Sequence, residues 1–357
     1  MAVLWGGGEF TSVVISGAGT GLVFTPTFQT GLPSLSRTAF SRGALSIGDV
    51  DVGTTYPLTR YYSSQAWDAA SSDFWFHAAF GSLGAQDANT ANQPMVWFAD
   101  ASGTDRLFIR GTGTAGQFKI SKRSAAGVFT DLATGTASAF PPSELGMRPI
   151  FLDVHVEYST TGRVRVYLNG TLVADTGASV DVTTDAATAL ARVSVCSLVK
   201  QASGNTHGWS ELLVADVDTR GAALWTIAPA ASGTTQLWTP NTVGNINETG
   251  INDGTWVATP TAGQKSGWTV STTVPTGSWS VLAIIQDARV SAGLSGPLHF
   301  EWYYRSAAGT DYTTGSETPV TAFANFQHVW NTDPATGIAW TTAAFAAGMN
   351  LGIASLA

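Results

Sequence analysis

Residues 153–175 read DVHVEYSTTGRVRVYLNGTLVAD, and this stretch decides the fold class. Apolar and polar residues alternate on both sides of the turn at 159–162, which is the period-two pattern of strands with one buried face. Asn169-Gly170 predicts a type I′ hairpin, because both residues accept the positive φ that this turn demands. A two-residue loop there sets Val166 opposite Val173. The stretch therefore predicts three consecutive antiparallel strands.

Strand patterns continue on both sides of this stretch. Residues 71–82 (SSDFWFHAAFGS) are apolar on both faces, which predicts a central strand covered on two sides. Residues 10–28 contain two short apolar runs and predict a hairpin or two edge strands. Near the end of the chain, Thr341 or Thr342 can N-cap a short helix that Gly348 ends. With no long helix anywhere, two sheets packed face to face are the expected architecture.

The composition narrows the class of protein. The chain has 357 residues, enough for two domains, and we expect one over 1–228 and a second over 229–357. Charged residues make up only 12%, about half of the usual ~25%, which suits β-rich proteins and surfaces that pack against other subunits. The net charge of −8 argues against a nucleic-acid partner, because acidic surfaces repel phosphate.

Targeting and redox features are sparse. The single Cys196 permits no internal disulfide, and no basic, apolar signal peptide is visible at the N-terminus. No apolar run approaches eighteen residues, so no membrane insertion is expected. These features predict a protein made in the cytoplasm that acts outside the cell only if a carrier, such as a virion, takes it there.

Two segments carry a resemblance to a known family. The run RVRVYLNGTLVAD, followed by GWSELLVADVDT, resembles the laminin-G or concanavalin-like jelly roll, and the C-terminal WNTDPATGIAWTTAAFAAGMNLGI is similar to the C-terminal β domain of tailed-phage and gene-transfer-agent virion proteins. The resemblance implies an all-β fold: a two-sheet jelly roll, then a smaller β-sandwich with one short helix. It also implies a tail fibre, head spike or minor tail component located in the virion, with other virion proteins and host surface polysaccharide as partners.

Many concanavalin-like folds are glucanases, with carboxylates at alternate positions of one strand. Asp153, His155 and Glu157 imitate that arrangement. However, positions i and i+4 of a strand lie roughly 13 Å apart, whereas the two carboxyls of a glycosidase need about 5–9.5 Å. We therefore favour a solvated face of an outer strand and no enzyme, and we keep a glycoside hydrolase as the alternative.

Binding candidates are few. Asp100 and Asp105 flank a loop whose spacing a calcium ion could use, although a hairpin turn explains the same residues. The five histidines show no zinc spacing, and no cofactor is expected. Sugars stack on exposed aromatic rings, so loop aromatics are candidates for carbohydrate binding, with core packing as the competing explanation. These candidates are Trp67, Trp209, Trp256 and Tyr312.

Two functions remain open at this stage. The first is a virion structural or adhesion protein, and the second is a carbohydrate-active enzyme or carbohydrate-binding module of the same fold. We further expect a homo-oligomer, a trimer by preference, with the second domain as the contact. Residues 221–357 hold ten charged residues in 137, and the strand with Trp302, Tyr303 and Tyr304 offers more aromatic area than one small sandwich can bury.

Overall fold

A computed structural model describes most of the chain. The described residues are 2–6, 12–16, 47–48, 62–63, 66–67, 70–83, 92, 94–114, 117–137, 150–195, 206–227, 229–246, 254–270 and 279–357. Cys196 and most of the expected hairpin over 10–28 lie outside them. Among the described residues, no helix is long and apolar enough to cross a membrane.

Nearly all of the regular structure is β-strand. Up to residue 226 the strands are β1 (Val3–Gly6), β2 (Ser12–Ser16), β3 (Ile47–Gly48), β4 (Tyr62–Ser63), β5 (Asp73–Leu83), β6 (Pro94–Ala99), β7 (Asp105–Gly111), β8 (Phe118–Arg123), β9 (Phe129–Thr134), β10 (Ile150–Glu157), β11 (Arg163–Leu168), β12 (Thr171–Asp175), β13 (Arg192–Val195), β14 (Thr206–Ala215) and β15 (Ala222–Thr226). The later elements are β16 (Pro229–Gln236), a 3₁₀ turn (Val243–Asn245), β17 (Lys265–Val270), β18 (Ser280–Val290), β19 (His299–Ser306), β20 (Asp311–Glu317), β21 (Ala324–Trp330), α1 (Thr342–Ala346) and β22 (Met349–Leu356). The all-β prediction is confirmed.

Two antiparallel sheets form the first sandwich. Sheet I has the order β1-β14-β5-β10-β11-β12, with β3 also paired to β14, and sheet II has the order β4-β13-β6-β7-β8-β9. Alternate residues of both sheets point into one shared core, where side chains such as Phe74, Val154 and Phe98 have no solvent exposure. As predicted, β5 is central and is buried on both faces from Phe74 to Ala79.

The hairpin between β11 and β12 follows the sequence closely, with one shift in register. Asn169 and Gly170 have φ of 47° and 78°, which confirms the type I′ turn. The predicted pairing of Val166 with Val173 is wrong, because Val166 lies opposite Ala174. A β-bulge makes Val173 an extra residue of β12, so the register moves by one position beyond the turn.

The second sandwich joins a four-stranded sheet to a five-stranded one. Sheet III has the order β15-β2-β18-β21, and sheet IV has the order β16-β17-β22-β19-β20. The N-terminal strand β2 is an interior strand of sheet III, so the expectation of edge strands is wrong for this segment. It is held between β15 and β18, whose backbones bond to both of its sides.

The C-terminal helix also matches its prediction. The Thr341 hydroxyl accepts a hydrogen bond from the Ala344 amide at 3.0 Å and caps α1. Gly348 then ends the turn with φ of 88°, a conformation that favours glycine. Phe345 is the buried residue of α1 and packs into the core between sheets III and IV.

The four sheets stack in the order II, I, III, IV. Between sheets I and III lies a small apolar cluster, in which Leu213 and Ala215 of β14 meet residues of β15 and β18. The predicted domain boundary after residue 228 falls between β15 and β16. Sheet III contains strands from both sides of that boundary, β2 and β15 before it and β18 and β21 after it. Residues 216–221, which connect β14 to β15, cross from sheet I to sheet III.

Candidate functional site

The three residues that imitate a glucanase lie on the face of sheet I that points away from the first core. The structure corrects the expected environment of Asp153, which is only 2% exposed and not solvated. Its strand β10 is an interior strand, between β5 and β11, and not an outer one. The crossover at 216–221 reaches Asp153 through Thr219, which is itself buried.

A buried polar cluster surrounds Asp153. One carboxylate oxygen is 2.8 Å from Nδ1 of His77 and accepts a hydrogen bond from the Thr219 hydroxyl at 2.9 Å. On the far side of the same ring, Nε2 lies 3.9 Å from Oε2 of Glu211. That oxygen also accepts a long hydrogen bond from the Leu224 amide, at 3.4 Å. The cluster therefore connects three strands of sheet I to the crossover and to β15 of sheet III.

Local backbone geometry places Glu211 in this cluster. The register of β14 against β5 shifts between Ser210 and Leu213, which marks a bulge. Glu211 within the bulge has φ of 55°, an uncommon value for a residue with a side chain. The bulge turns its carboxylate into the space between sheets I and III, where the residue is 1% exposed.

The electrostatics of this cluster favour a charged histidine. Burial by itself disfavours the imidazolium, but the hydrogen bond to Asp153 and the negative charges of Asp153 and Glu211 outweigh it and raise the pKa of His77 from 6.5 to about 9. At neutral pH the ring therefore carries a proton on each nitrogen, with one carboxylate on either side. The result is a buried group of one cation between two acidic residues.

The same sheet face continues into a half-buried charged network. His155 lies 3.0 Å from Asp73, through Nε2 and Oδ1, and Arg165 donates to Glu157 at 2.6 Å. The His155 ring stacks on Trp75 with 4.4 Å between centroids. Each ionisable group of this network therefore has a partner of complementary charge or a ring to pack on.

The Trp75 ring has little free surface for a sugar. Tyr167 stacks on it at 5.7 Å, and the Arg220 guanidinium covers both rings at 5.2 and 4.6 Å. Trp75 and Tyr167 are 8% and 7% exposed. Because sugars need an open ring face for stacking, this aromatic group is a packing unit of sheet I.

Hydrolysis needs two reachable carboxyl groups, and the buried cluster around His77 does not offer them. Asp153 and Glu211 are buried with His77 between them, so a polysaccharide has no path to either. Glu157 is half-exposed but is held by Arg165. The sequence pattern missed His77, Glu211 and Thr219 as a group, because their strands are far apart along the chain.

The four aromatic candidates for carbohydrate binding fall into different environments. Trp67 is 4% exposed and packs on Phe74 in the first core, and Tyr312 is partly buried against Tyr304. The side chain of Trp209 lies outside the described residues. Trp256 is 52% exposed on a loop. Of the candidates whose side chains the structure describes, Trp256 alone presents an open ring.

The candidate calcium loop is filled by internal donors. Asp100 accepts hydrogen bonds from the Ser102 hydroxyl at 2.5 Å and the Thr104 amide at 3.0 Å, and its other oxygen accepts from Arg106 at 2.9 Å. Burial works against these contacts, yet they outweigh it and lower the pKa of Asp100. Asp105 is 3.9 Å from Arg123. In the described ranges, no three acidic, histidine or cysteine residues converge as metal ligands.

Among the residues whose side chains the structure describes, most of the exposed large apolar ones lie in the second sandwich. The predicted aromatic excess on β19 is wrong, because Trp302, Tyr303 and Tyr304 are all buried within the molecule. In the described ranges, two large apolar side chains are exposed before residue 228, Val128 and Leu172, and six are exposed after it. The six are Leu237, Trp256, Leu294, Leu298, Val320 and Ile338.

Comparison with known proteins finds no matching family model and no matching curated protein. Solved structures with a similar arrangement include cellulose induced protein Cip1, at 18% identity and a TM-score of 0.31 over 57% of this chain and 90% of that one. The receptor binding domain of botulinum neurotoxin type G matches at 7% identity and a TM-score of 0.29, over 53% of this chain and 48% of that one. Alginate lyase Aly36B matches at 13% identity and a TM-score of 0.25, over 58% of this chain and 97% of that one. At these TM-scores the likenesses carry no argument about activity or ligands.

Proposed function

We propose that the chain is a structural and adhesion protein of a tailed phage or phage-like particle, in a fibre, spike or minor tail component. The observation that carries the proposal is the surface of the second sandwich, with six exposed apolar side chains and ten charged residues in the last 137. Such a surface suits contact with neighbouring subunits more than full exposure to water. The resemblance of residues 330–353 to virion proteins supports the same assignment.

The buried cluster around His77 is consistent with this role. Two acidic residues that a hydrolase would need in the open are used instead to attach the β14–β15 crossover to sheet I. In this proposal the chain binds neighbouring subunits and the host surface, and performs no hydrolysis. It is made in the host cytoplasm and reaches the outside as part of the particle.

Membership of a particle is directly testable. Particles are purified from a culture whose genome encodes this chain and are banded on a density gradient. The chain is then quantified by mass spectrometry relative to the major capsid protein. We expect the chain at a fixed ratio to the capsid protein across the band. Its absence from the band, with free protein at the top of the gradient, would refute the proposal.

A second candidate function is a carbohydrate-binding module, which the open ring of Trp256 favours. Its loop is well ordered by hydrogen bonds: the Thr239 and Ala258 backbones bond reciprocally at 2.8 and 2.9 Å, and Asn245 donates to the Trp256 carbonyl at 3.0 Å. A glycan array probed with the wild type and Trp256→Ala tests this candidate, with Ile338→Ala as the matched exposed control. Binding lost only in Trp256→Ala would support it, and no binding by the wild type would remove it.

A further inference from the structure

We propose that one end of the second sandwich is a contact surface for a second copy of this chain. This surface, the uncharged end, consists of residues 254–263, 291–298 and 318–323. The inference goes beyond membership of a particle, since it concerns the purified chain and names the residues that meet. The evidence for it is that three segments lie together, that their apolar side chains are exposed and that none of their residues is ionisable.

Hydrogen bonds and close contacts bring the three segments together near the C-terminal end of β22, an interior strand of sheet IV. The Ala292 amide donates to the Val320 carbonyl at 2.7 Å, which joins the second segment to the third. A Cβ placed on Gly296 would lie 3.5 Å from Pro260, so the first segment packs against the second. The Gly263 amide also donates to the Ser355 carbonyl at 2.7 Å, at the end of β22.

The side chains at this end are apolar and open. Leu294 is 100% exposed, and Leu298, Val320 and Trp256 are 60%, 59% and 52% exposed. Four large apolar groups are therefore exposed on three segments that contact one another. Single exposed apolar residues are normal on protein surfaces, whereas a contiguous group of them marks an interaction site.

Charge indicates what covers this end. The three segments have ten, eight and six residues, 24 in all, and none of them has an ionisable side chain. The whole chain carries a net charge of −8, so two copies repel each other over most of their surfaces. They can meet at this end with few like charges brought together: two ionisable side chains lie against it, Arg289 over the Phe323 ring at 5.9 Å and His299 at 2.9 Å from the Thr318 hydroxyl. The 24 residues also match the roughly 20–30 residues that each partner contributes to an interface of standard size.

Sedimentation velocity on the purified full chain, over about 1 to 100 µM, tests the inference. We expect the wild type to associate as its concentration rises. Leu294→Asp places a carboxylate on both sides of the contact, and should weaken association by roughly tenfold or more. Because the Leu294 side chain is fully exposed, this variant keeps the fold. Ile338→Asp is the control, since Ile338 is also exposed, at 61%, but follows the C-terminal end of β21, whereas residues 318–323 precede its N-terminal end.

The outcomes separate cleanly. Association that is weakened in Leu294→Asp and retained in Ile338→Asp supports the inference. A wild type that is monomeric throughout overturns it, as does equal weakening by both variants. A monomer that instead floats with uncharged phosphatidylcholine vesicles assigns this end to a lipid surface and also overturns the inference. None of these results bears on the gradient experiment, so the particle assignment stands or falls separately.

Discussion

Replacing His77 with glutamine should destabilise the protein in a pH-dependent way. The imidazolium lies between two buried acidic residues, and its pKa is raised from 6.5 to about 9. Each factor of ten in proton affinity corresponds to about 1.4 kcal/mol, so the proton contributes about 3 kcal/mol to the free energy of unfolding. Because His77 is 1% exposed, solvent screening takes little from this figure.

The sign of the pH dependence follows from the direction of the shift. A group whose pKa is higher in the folded state stabilises most when both states are protonated, which is below about pH 6.5. The contribution declines as pH rises from 6.5 and is lost once the pH passes the folded pKa of about 9. The difference in stability between wild type and His77→Gln should therefore be about 3 kcal/mol larger at about pH 6 than above pH 9.

Urea denaturation followed by tryptophan fluorescence at the two pH values measures this difference. His299→Gln is the matched control, since its ring is 2.9 Å from the Thr318 hydroxyl and its loss leaves no carboxylate without a partner. We expect a loss of less than about 1 kcal/mol for the control. A His77→Gln effect of the same size at both pH values would refute the assignment of a buried imidazolium.

The remaining predictions concern stability, measured by the same denaturation. Asp153→Asn should lower the free energy of unfolding by about 3–5 kcal/mol, because it leaves a buried cation with one partner fewer. Glu157→Gln should lower it by less than about 1 kcal/mol, since its salt bridge is half-exposed. Equal losses in the two variants would contradict the burial assigned to Asp153. Gly170→Val should cost about 1–3 kcal/mol through backbone strain alone, because nothing lies within 4 Å of the added Cβ, and Gly170→Asn is the tolerated control. Thr341→Ala should cost about 0.5–2 kcal/mol by removing the cap of α1, and an unchanged midpoint would argue against that cap.

Much of the first sandwich could be predicted because neighbouring residues along the chain determine its strands and turns. Alternation of apolar residues and the Asn169-Gly170 turn identify β10, β11 and β12 without reference to the rest of the chain. The displaced pairing of Val166 was not predictable in the same way, because a bulge depends on packing against neighbouring strands. The interior position of β2 depends on strands more than two hundred residues away, which no local pattern reveals.

In the candidate site, too, local sequence predicts some features, whereas contacts between distant parts of the chain determine the others. Alternation placed Asp153 on the correct face of its strand, but the sequence does not show that the crossover and sheet III cover that face. A histidine within the apolar run 74–79 was the one local indication of a buried polar group. Its partner Glu211 comes from a bulged strand over one hundred residues away, so the pair exists only in three dimensions.

Cryo-electron microscopy of the particle tests the central claim most directly. If the chain is a structural and adhesion protein, the surface of the particle should contain density for the four stacked sheets, in repeated copies that contact one another or neighbouring subunits through the second sandwich. A particle whose surface lacks that density, together with free protein that shortens polysaccharide chains, would contradict the claim and favour an enzyme.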